Sequence, residues 1–345
     1  MSIPPAEHVA EAFDLGRPTG PMRAHRYGSS ETWRLETDSG AFLVKRLWTG
    51  EDPSWRPALE AAMVFEGACA ATGVSMPTPV WPVDVAFGCA ARLPEDGVVR
   101  VYPWLEHRTV EVSDDLAEWL GTTLARLHRT APISGSTPEP EWYGIFPAAR
   151  WEAWLQDGVV QGRPWAAVLK ERLPDVLRAS RWVAEAFEST GPYVRTHRDV
   201  LPANVLVTAH GPVLVDFDTA GPDSAPLETA TATLVFALRG AAEPDRDRVG
   251  RTLAAYEGEG GQPLPPREDL LARRLGMKLG TLSERLDKTL GHAPAGSWDL
   301  EPLSNSRRFR SCSTTSDAGP ASSPADALAA MSQGGRLSRH RGCSH

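Results

Sequence analysis

An aspartate and an asparagine stand five residues apart in the run Thr196–Thr208, THRDVLPANVLVT, and a second aspartate, Asp216, closes the short β-type run VLVDFD that follows. Residues of these types suit phosphoryl transfer to a hydroxyl, a reaction that asks little covalent chemistry of a protein. It needs a carboxylate beside the acceptor hydroxyl, oxygen ligands for the Mg2+ that bridges the phosphates, and cations that position the triphosphate. Asp199 and Asn204 on one loop can supply the carboxylate and part of the metal site, and Asp216 can complete it. Any one of them alone would pass for an ordinary turn or strand-end group. The joint spacing of His197, Asp199, Asn204 and Asp216, set between helical segments, is what points to chemistry.

The run HRDVLPAN resembles the catalytic loop H-x-D-x-x-x-x-N shared by protein kinases and aminoglycoside phosphotransferases, and VLVDFD resembles the metal-binding strand that follows that loop. With weaker signals included, the resemblance spans roughly residues 20 to 290. It implies ATP as phosphoryl donor, Asp199 as the catalytic carboxylate, Asn204 and Asp216 as Mg2+ ligands, and His197 as a structural residue holding the loop. It also implies a strand lysine for the phosphates, which Lys45 in AFLVKRL fits, and a helix carboxylate to pair with that lysine. Glu60 and Glu66 are both available for the pairing, six residues apart and on different helix faces, so one alone can point inward. Glu66, beside Phe65 and Cys69, is preferred. The phosphate-covering loop falls on Tyr27–Glu31, where Gly28 lets backbone approach phosphate and Ser29 and Ser30 can donate hydrogen bonds. Tyr102 and Trp104 fall at the expected interlobe hinge, either lining an adenine pocket or serving as core packing. His128, in LGTTLARLH, is expected to be a packing residue.

The elements that must position these groups change in kind along the chain. Thr32–Thr37 and Ala41–Leu47 are β-type runs about the turn Asp38-Ser39-Gly40, a hairpin signal. Ala58–Ala71 reads as a helix ending at Thr72-Gly73, and Val98–Tyr102 as another strand. Leu116, Leu120, Leu124 and Leu127 then predict an amphipathic helix over Asp114–Arg129. Further helices are expected around Trp151–Asp157, Trp165–Ser189, Leu227–Arg239, Asp245–Tyr256 and Arg267–Leu290, with a hairpin of Asn204–Thr208 and Pro212–Phe217. The expectation is an α+β, bilobal, protein-kinase-like fold. Residues 1–101 form a β-rich nucleotide-binding lobe, 102–106 a hinge and 107–303 a mostly helical catalytic and substrate lobe. From Ser304 onward Ser, Arg, Gly and Ala dominate, too little apolar surface to offset chain entropy, so 304–345 is expected to be a disordered tail.

Composition narrows the partners. With 36 Lys and Arg against 44 Asp and Glu, the net charge of −8 argues against a nucleic-acid binder and is compatible with a cationic substrate. No apolar run reaches the length of a membrane span, the first residues lack a signal-peptide pattern, and the four cysteines show no metal or disulfide spacing. A cytoplasmic protein is expected, with neither a nucleic-acid nor a membrane partner. Three functions compete: a small-molecule kinase, a Ser/Thr-type protein kinase, and a catalytically dead binding module. Against the protein kinase, Leu201 stands where such enzymes carry a lysine, the metal motif reads DFD, and about ten residues separate Asp216 from the next helix, too few for a peptide-docking loop. Against the dead module, every required acid and amide is present. The expected reaction is transfer of the γ-phosphoryl of ATP to a small-molecule hydroxyl, on an aminoglycoside or related antibiotic. A choline-, homoserine- or sugar-type metabolic kinase is the alternative. Asp223, Glu228, Glu243, Asp245 and Asp247 offer carboxylates for a cationic substrate, and Asp218 is a second candidate for the metal.

Overall fold

The computed structural model describes residues 3–27, 30–47, 55–93, 97–131, 133–238 and 243–292. Gly28, Ser29 and the expected tail lie outside the described residues. The chain divides into two compact units, one of Met1–Pro138 with Thr190–Arg267, the other of Glu139–Ser189 with Glu268–Ala295.

The first unit begins with helix α1, Ala6–Phe13, which no sequence signal above had identified. Ala6, Val9, Ala10 and Phe13 fall on one face at helical spacing and are buried. Strands β1 (Arg23–Tyr27), β2 (Ser30–Thr37), β3 (Gly40–Leu47), β4 (Ala90–Leu93) and β5 (Gly97–Pro103) form an antiparallel sheet in the order β1-β2-β3-β5-β4. Directly opposed residues share a face, so register sorts the side chains. Trp33, Val44 and Val101 are aligned on one face, where they pack with α1 through Val9 and Phe13. Thr32, Lys45 and Arg100 are aligned on the other, as are Leu43 and Tyr102. Helix α2, Arg56–Ala71, covers this second face, with Leu59 and Met63 packed on Cys89 and Val98. The chain leaves β5 with Trp104 N–H bonded to the Ala41 carbonyl at 2.9 Å.

The remainder of this unit holds helices α3 (Ala117–Thr130), α6 (Ala225–Leu238) and α7 (Arg246–Gly258). It also holds β6 (Arg108–Thr109), β8 (Val205–Thr208) and β9 (Gly211–Leu214) in one small sheet, and β7 (Val194–Thr196) paired with β10 (Gly221–Asp223) in another. α3 starts three residues later than its acidic lead suggested, because Asp114 is engaged elsewhere: it binds both ends of the Arg108 guanidinium, at 2.6 and 2.7 Å. The leucine stripe is as expected, with Leu120, Leu124 and Leu127 fully buried against Phe65, Val205 and Phe217. At Gly121 α3 meets α7 so closely that a Cβ would stand 2.2 Å from the Thr252 carbonyl oxygen and 2.7 Å from the Tyr256 amide nitrogen. Backbone cannot give way as the end of a side chain can, so Gly121→Ala should cost about 1–3 kcal/mol or more. Thermal unfolding would read this as a fall of several degrees, and an unchanged melting temperature would show that the two helices part freely.

The second unit is built on α4 (Ala148–Val160), α5 (Ala166–Ser189) and α8 (Ala272–Leu290). Trp151 and Trp154 pack edge-on with Phe146, and the Trp154 indole donates to Asp287 at 2.6 Å. No helix among the described residues is long and apolar enough to cross a membrane.

Candidate active site

The loop after β7 is held by its own side chains. His197 is fully buried, edge-on to Phe217 at 4.5 Å. Its Nδ1 accepts the Asp199 amide at 3.2 Å, which leaves Nε2 to carry the proton and donate to the Val215 carbonyl at 3.1 Å. Arg198 takes a left-handed backbone conformation (φ 66°) and donates Nε–H to the Thr219 carbonyl at 2.6 Å. Gly221 lies against its guanidinium, where a Cβ would come within 2.8 Å of Cζ. Asn204 ends a short turn, Pro202–Asn204, and its side-chain amide donates to the Asp199 carbonyl at 2.9 Å and to the Asp199 carboxylate at 2.7 Å. Its own carbonyl accepts Val215 N–H at 2.9 Å, bringing the chain after β9 alongside the loop. Asp216 then adopts φ 77°, turning the chain away from the strand direction with its carboxylate about one-third exposed.

Two further segments bring charge to this point. Lys45, 7% exposed on β3, donates to Asp216 Oδ1 at 2.6 Å and forms an ion pair with Asp218 Oδ2. Arg100, directly opposite on β5, reaches Asp218 Oδ1 through Nη1 at 2.6 Å and Glu66 Oε2 through Nη2. Glu66 Oε1 accepts the Tyr102 hydroxyl at 3.0 Å. Burial alone would lower the pKa of Lys45, but Asp218 and Asp216 outweigh it and hold the ammonium above its ordinary value. Burial likewise works to raise Asp218, and Lys45 and Arg100 overcome it to bring that carboxyl down to about 2. At Glu66 burial prevails and pushes the carboxyl up against the pull of Arg100.

The arrangement corrects one expectation. Glu66 is the inward glutamate and Glu60 lies half-buried, paired to Arg56 at 2.8 Å, but Glu66 does not pair with Lys45. Arg100 and Tyr102 take both of its carboxylate oxygens, and the lysine turns to the two aspartates instead. Tyr102 is buried with its hydroxyl committed to Glu66, while Trp104 is held by His25 edge-on at 5.0 Å, by Arg34 4.6 Å over its ring, and by Glu106. Ser30 opens β2 opposite Leu47. The acidic residues offered for a cationic substrate are largely engaged. Glu228 is 1% exposed and bonded to His128 Nε2 at 2.8 Å and to Thr196, Asp223 is buried, Asp245 caps α7, and Asp247 pairs with Arg251 at 2.8 Å. Glu243 is exposed. His128 is a buried packing residue, bonded on its other side to the Tyr256 hydroxyl at 3.0 Å.

Arg100 belongs to this charge network, although no role was expected for it from the sequence. Its signal was present: a charged residue amid Val98, Val99 and Val101 in a buried strand, on the same face as Tyr102.

The donor set suits a hard divalent cation. The Asn204 amide nitrogen is spent on Asp199, so its side-chain oxygen is the free end, and the second oxygen of Asp216 has no partner among the described residues. Two such oxygens, completed by phosphate and water, meet the usual demand of Mg2+. No cluster of three or more His, Cys, Asp or Glu side chains that could hold a metal by itself occurs among the described residues. Lys45 has three N–H donors and, among the described residues, one hydrogen bond, to Asp216, so donors remain for an incoming phosphate beside its ion pair with Asp218.

The sequence profile of the phosphotransferase enzyme family, APH, matches residues 23–271. No curated protein sequence matches the chain. Among solved structures, spectinomycin phosphotransferase APH(9)-Ia in complex with ADP and spectinomycin superposes with a TM-score of 0.57 at 13% identity, covering 95% of this chain and 97% of that one. Amicoumacin kinase hAmiN, with AMP-PNP, Ca2+ and Ami, gives 0.56 at 14% identity over 86% and 96%. Choline kinase LicA from Streptococcus pneumoniae gives 0.57 at 12% over 85% and 92%. At such identities the likeness is one of fold.

Proposed function

The chain belongs to the phosphotransferase enzyme family, and from that premise we propose that it moves the γ-phosphoryl group of ATP to a hydroxyl of an aminoglycoside or related antibiotic. The observation that carries this reading is that Lys45, from β3, meets Asp216 beside the loop that holds Asp199 and Asn204. Asn204 is tied to the Asp199 carboxylate at 2.7 Å, and Lys45 to Asp216 at 2.6 Å. Asp199 accepts the proton of the substrate hydroxyl as the hydroxyl oxygen bonds to the γ-phosphorus, the bond from that phosphorus to the β,γ-bridging oxygen breaks, and ADP leaves. Asn204 and Asp216 would hold Mg2+, which would supply positive charge to neutralise the phosphates. Lys45 steadies the phosphate oxygens, and the sequence adds Gly28, Ser29 and Ser30 to the proposed phosphate-binding set. Residues 102–106 act as a hinge between a nucleotide lobe, 1–101, and a catalytic and substrate lobe, 107–303, with Tyr102 and Trp104 on the adenine side. A cytoplasmic location fits a reaction that consumes ATP.

Support for the substrate class comes from the likeness to spectinomycin phosphotransferase and amicoumacin kinase. The equal likeness to a choline kinase keeps an amino alcohol as the second reading. An ATP-consumption assay with Mg2+ against aminoglycosides, peptide antibiotics, macrolides and amino alcohols separates them. Turnover on one of the first three classes bears the reading out. Turnover confined to amino alcohols favours the second, and a folded protein inert on every hydroxyl acceptor overturns both.

A further inference from the structure

Lys45 and Arg100 face each other across β3 and β5 in direct register, on the face covered by α2. Like charges directly opposed across a strand pair are destabilising unless a counter-charge lies between them. Asp218 is that counter-charge: one oxygen meets Lys45 and the other Arg100 Nη1, at 2.6 Å. The second arm of Arg100 passes on to Glu66 in α2, whose remaining oxygen takes the Tyr102 hydroxyl. Arg100 is fully buried and Glu66 1% exposed, so this end of the chain of charges is shut away from water.

We infer that Asp218, braced by Arg100 and through it by Glu66, is the carboxylate that orients Lys45 for the nucleotide phosphates, and that Arg100 is a positioning residue of the site. The inference rests on the nucleotide reading above. Lys45 has two carboxylate partners, Asp216 and Asp218. Once Asp216 is committed to Mg2+, Asp218 is the one left to fix the lysine. Glu66 makes no ion pair with Lys45, its oxygens being turned to Arg100 and Tyr102. The bracing requires arginine: its planar fork holds carboxylates from two separate elements, α2 and the turn Phe217–Thr219, where a lysine would present a point charge. Glu66 therefore acts on Lys45 at two removes, through Arg100 and Asp218, in place of a direct pair.

The test uses the full chain and the β,γ-imido analogue of ATP with Mg2+, with affinity read by calorimetry. Asp218→Asn is expected to weaken binding about tenfold or more, as Lys45→Met does, and Glu66→Gln by less than about threefold. Because Asp218 works through Lys45, adding Asp218→Asn to Lys45→Met should cost less than about twofold further, whereas an independent structural role would add its full cost. Full additivity, or Glu66→Gln as damaging as Lys45→Met beside a silent Asp218→Asn, overturns the inference. If Asp218→Asn does not fold, Glu66→Gln/Arg100→Gln decides the matter, since it removes a buried pair together and strands neither charge. A double variant several-fold weaker in binding than Glu66→Gln alone supports the bracing role, and equal affinities overturn it. A folded wild-type protein that binds no nucleotide overturns the phosphotransferase reading itself, an outcome visible before any variant is compared.

Discussion

Asp199→Asn should turn over at about one-hundredth of the wild-type rate or less, a loss of about 2.7 kcal/mol or more in transition-state stabilisation. The substitution keeps the shape of the side chain and can keep a hydrogen bond to Asn204, which now reaches the Asp199 carboxylate at 2.7 Å. What it removes is the acceptor for the hydroxyl proton and a negative charge beside the reacting oxygen. The loop itself should hold, because its fixed points lie elsewhere. His197 is anchored to Val215, and Asn204 is anchored through its backbone carbonyl to Val215 N–H at 2.9 Å. Nucleotide affinity should therefore stay near wild type while kcat falls. Steady-state kinetics on whichever acceptor the screen identifies, beside a calorimetric nucleotide titration, checks both halves. Near-wild-type turnover would remove Asp199 from the chemistry.

Asp216→Ala should abolish the part of nucleotide affinity that depends on Mg2+, so that titrations with Mg2+ and with chelator coincide. Asp216 supplies a carboxylate oxygen with no partner among the described residues, on a side chain about one-third exposed. Removing it deletes a charged ligand that neither Asn204 nor water replaces. The fold should survive, since Lys45 retains Asp218. A variant whose affinity still rises with Mg2+ would move the metal to another carboxylate. Asp218 was the second candidate for that place, and its two oxygens are instead on Lys45 and Arg100.

The local signals were strong where the chemistry is local. HRDVLPAN and VLVDFD carry Asp199, Asn204 and Asp216 within one short stretch, and their contacts are set mainly by the loop and the hairpin beside it. The turn Asp38-Ser39-Gly40, the leucine stripe of α3 and the run of valines in β5 likewise placed elements correctly, because hydrophobic period and turn chemistry act over a few residues. Five strands and the first helix went unread, and three of those strands, β6, β7 and β10, have only two or three residues each. β1 is charged along much of its length, β4 is four residues long, and α1 makes barely two turns whose apolar face matters once a sheet lies against it.

What the sequence by itself determined, then, was the set of candidate groups in the loop and the order of the major elements. Which cation meets which anion was decided by tertiary structure. Lys45, Glu66, Arg100 and Asp218 are far apart in the chain, and each could have paired with several others. Strand register set Lys45 beside Arg100, α2 brought Glu66 to the arginine, and the turn after Asp216 delivered Asp218 between the two cations. A buried charge must find a partner within a few ångströms or pay heavily in lost solvation, and that distance exists only once the sheet and helix have closed over it.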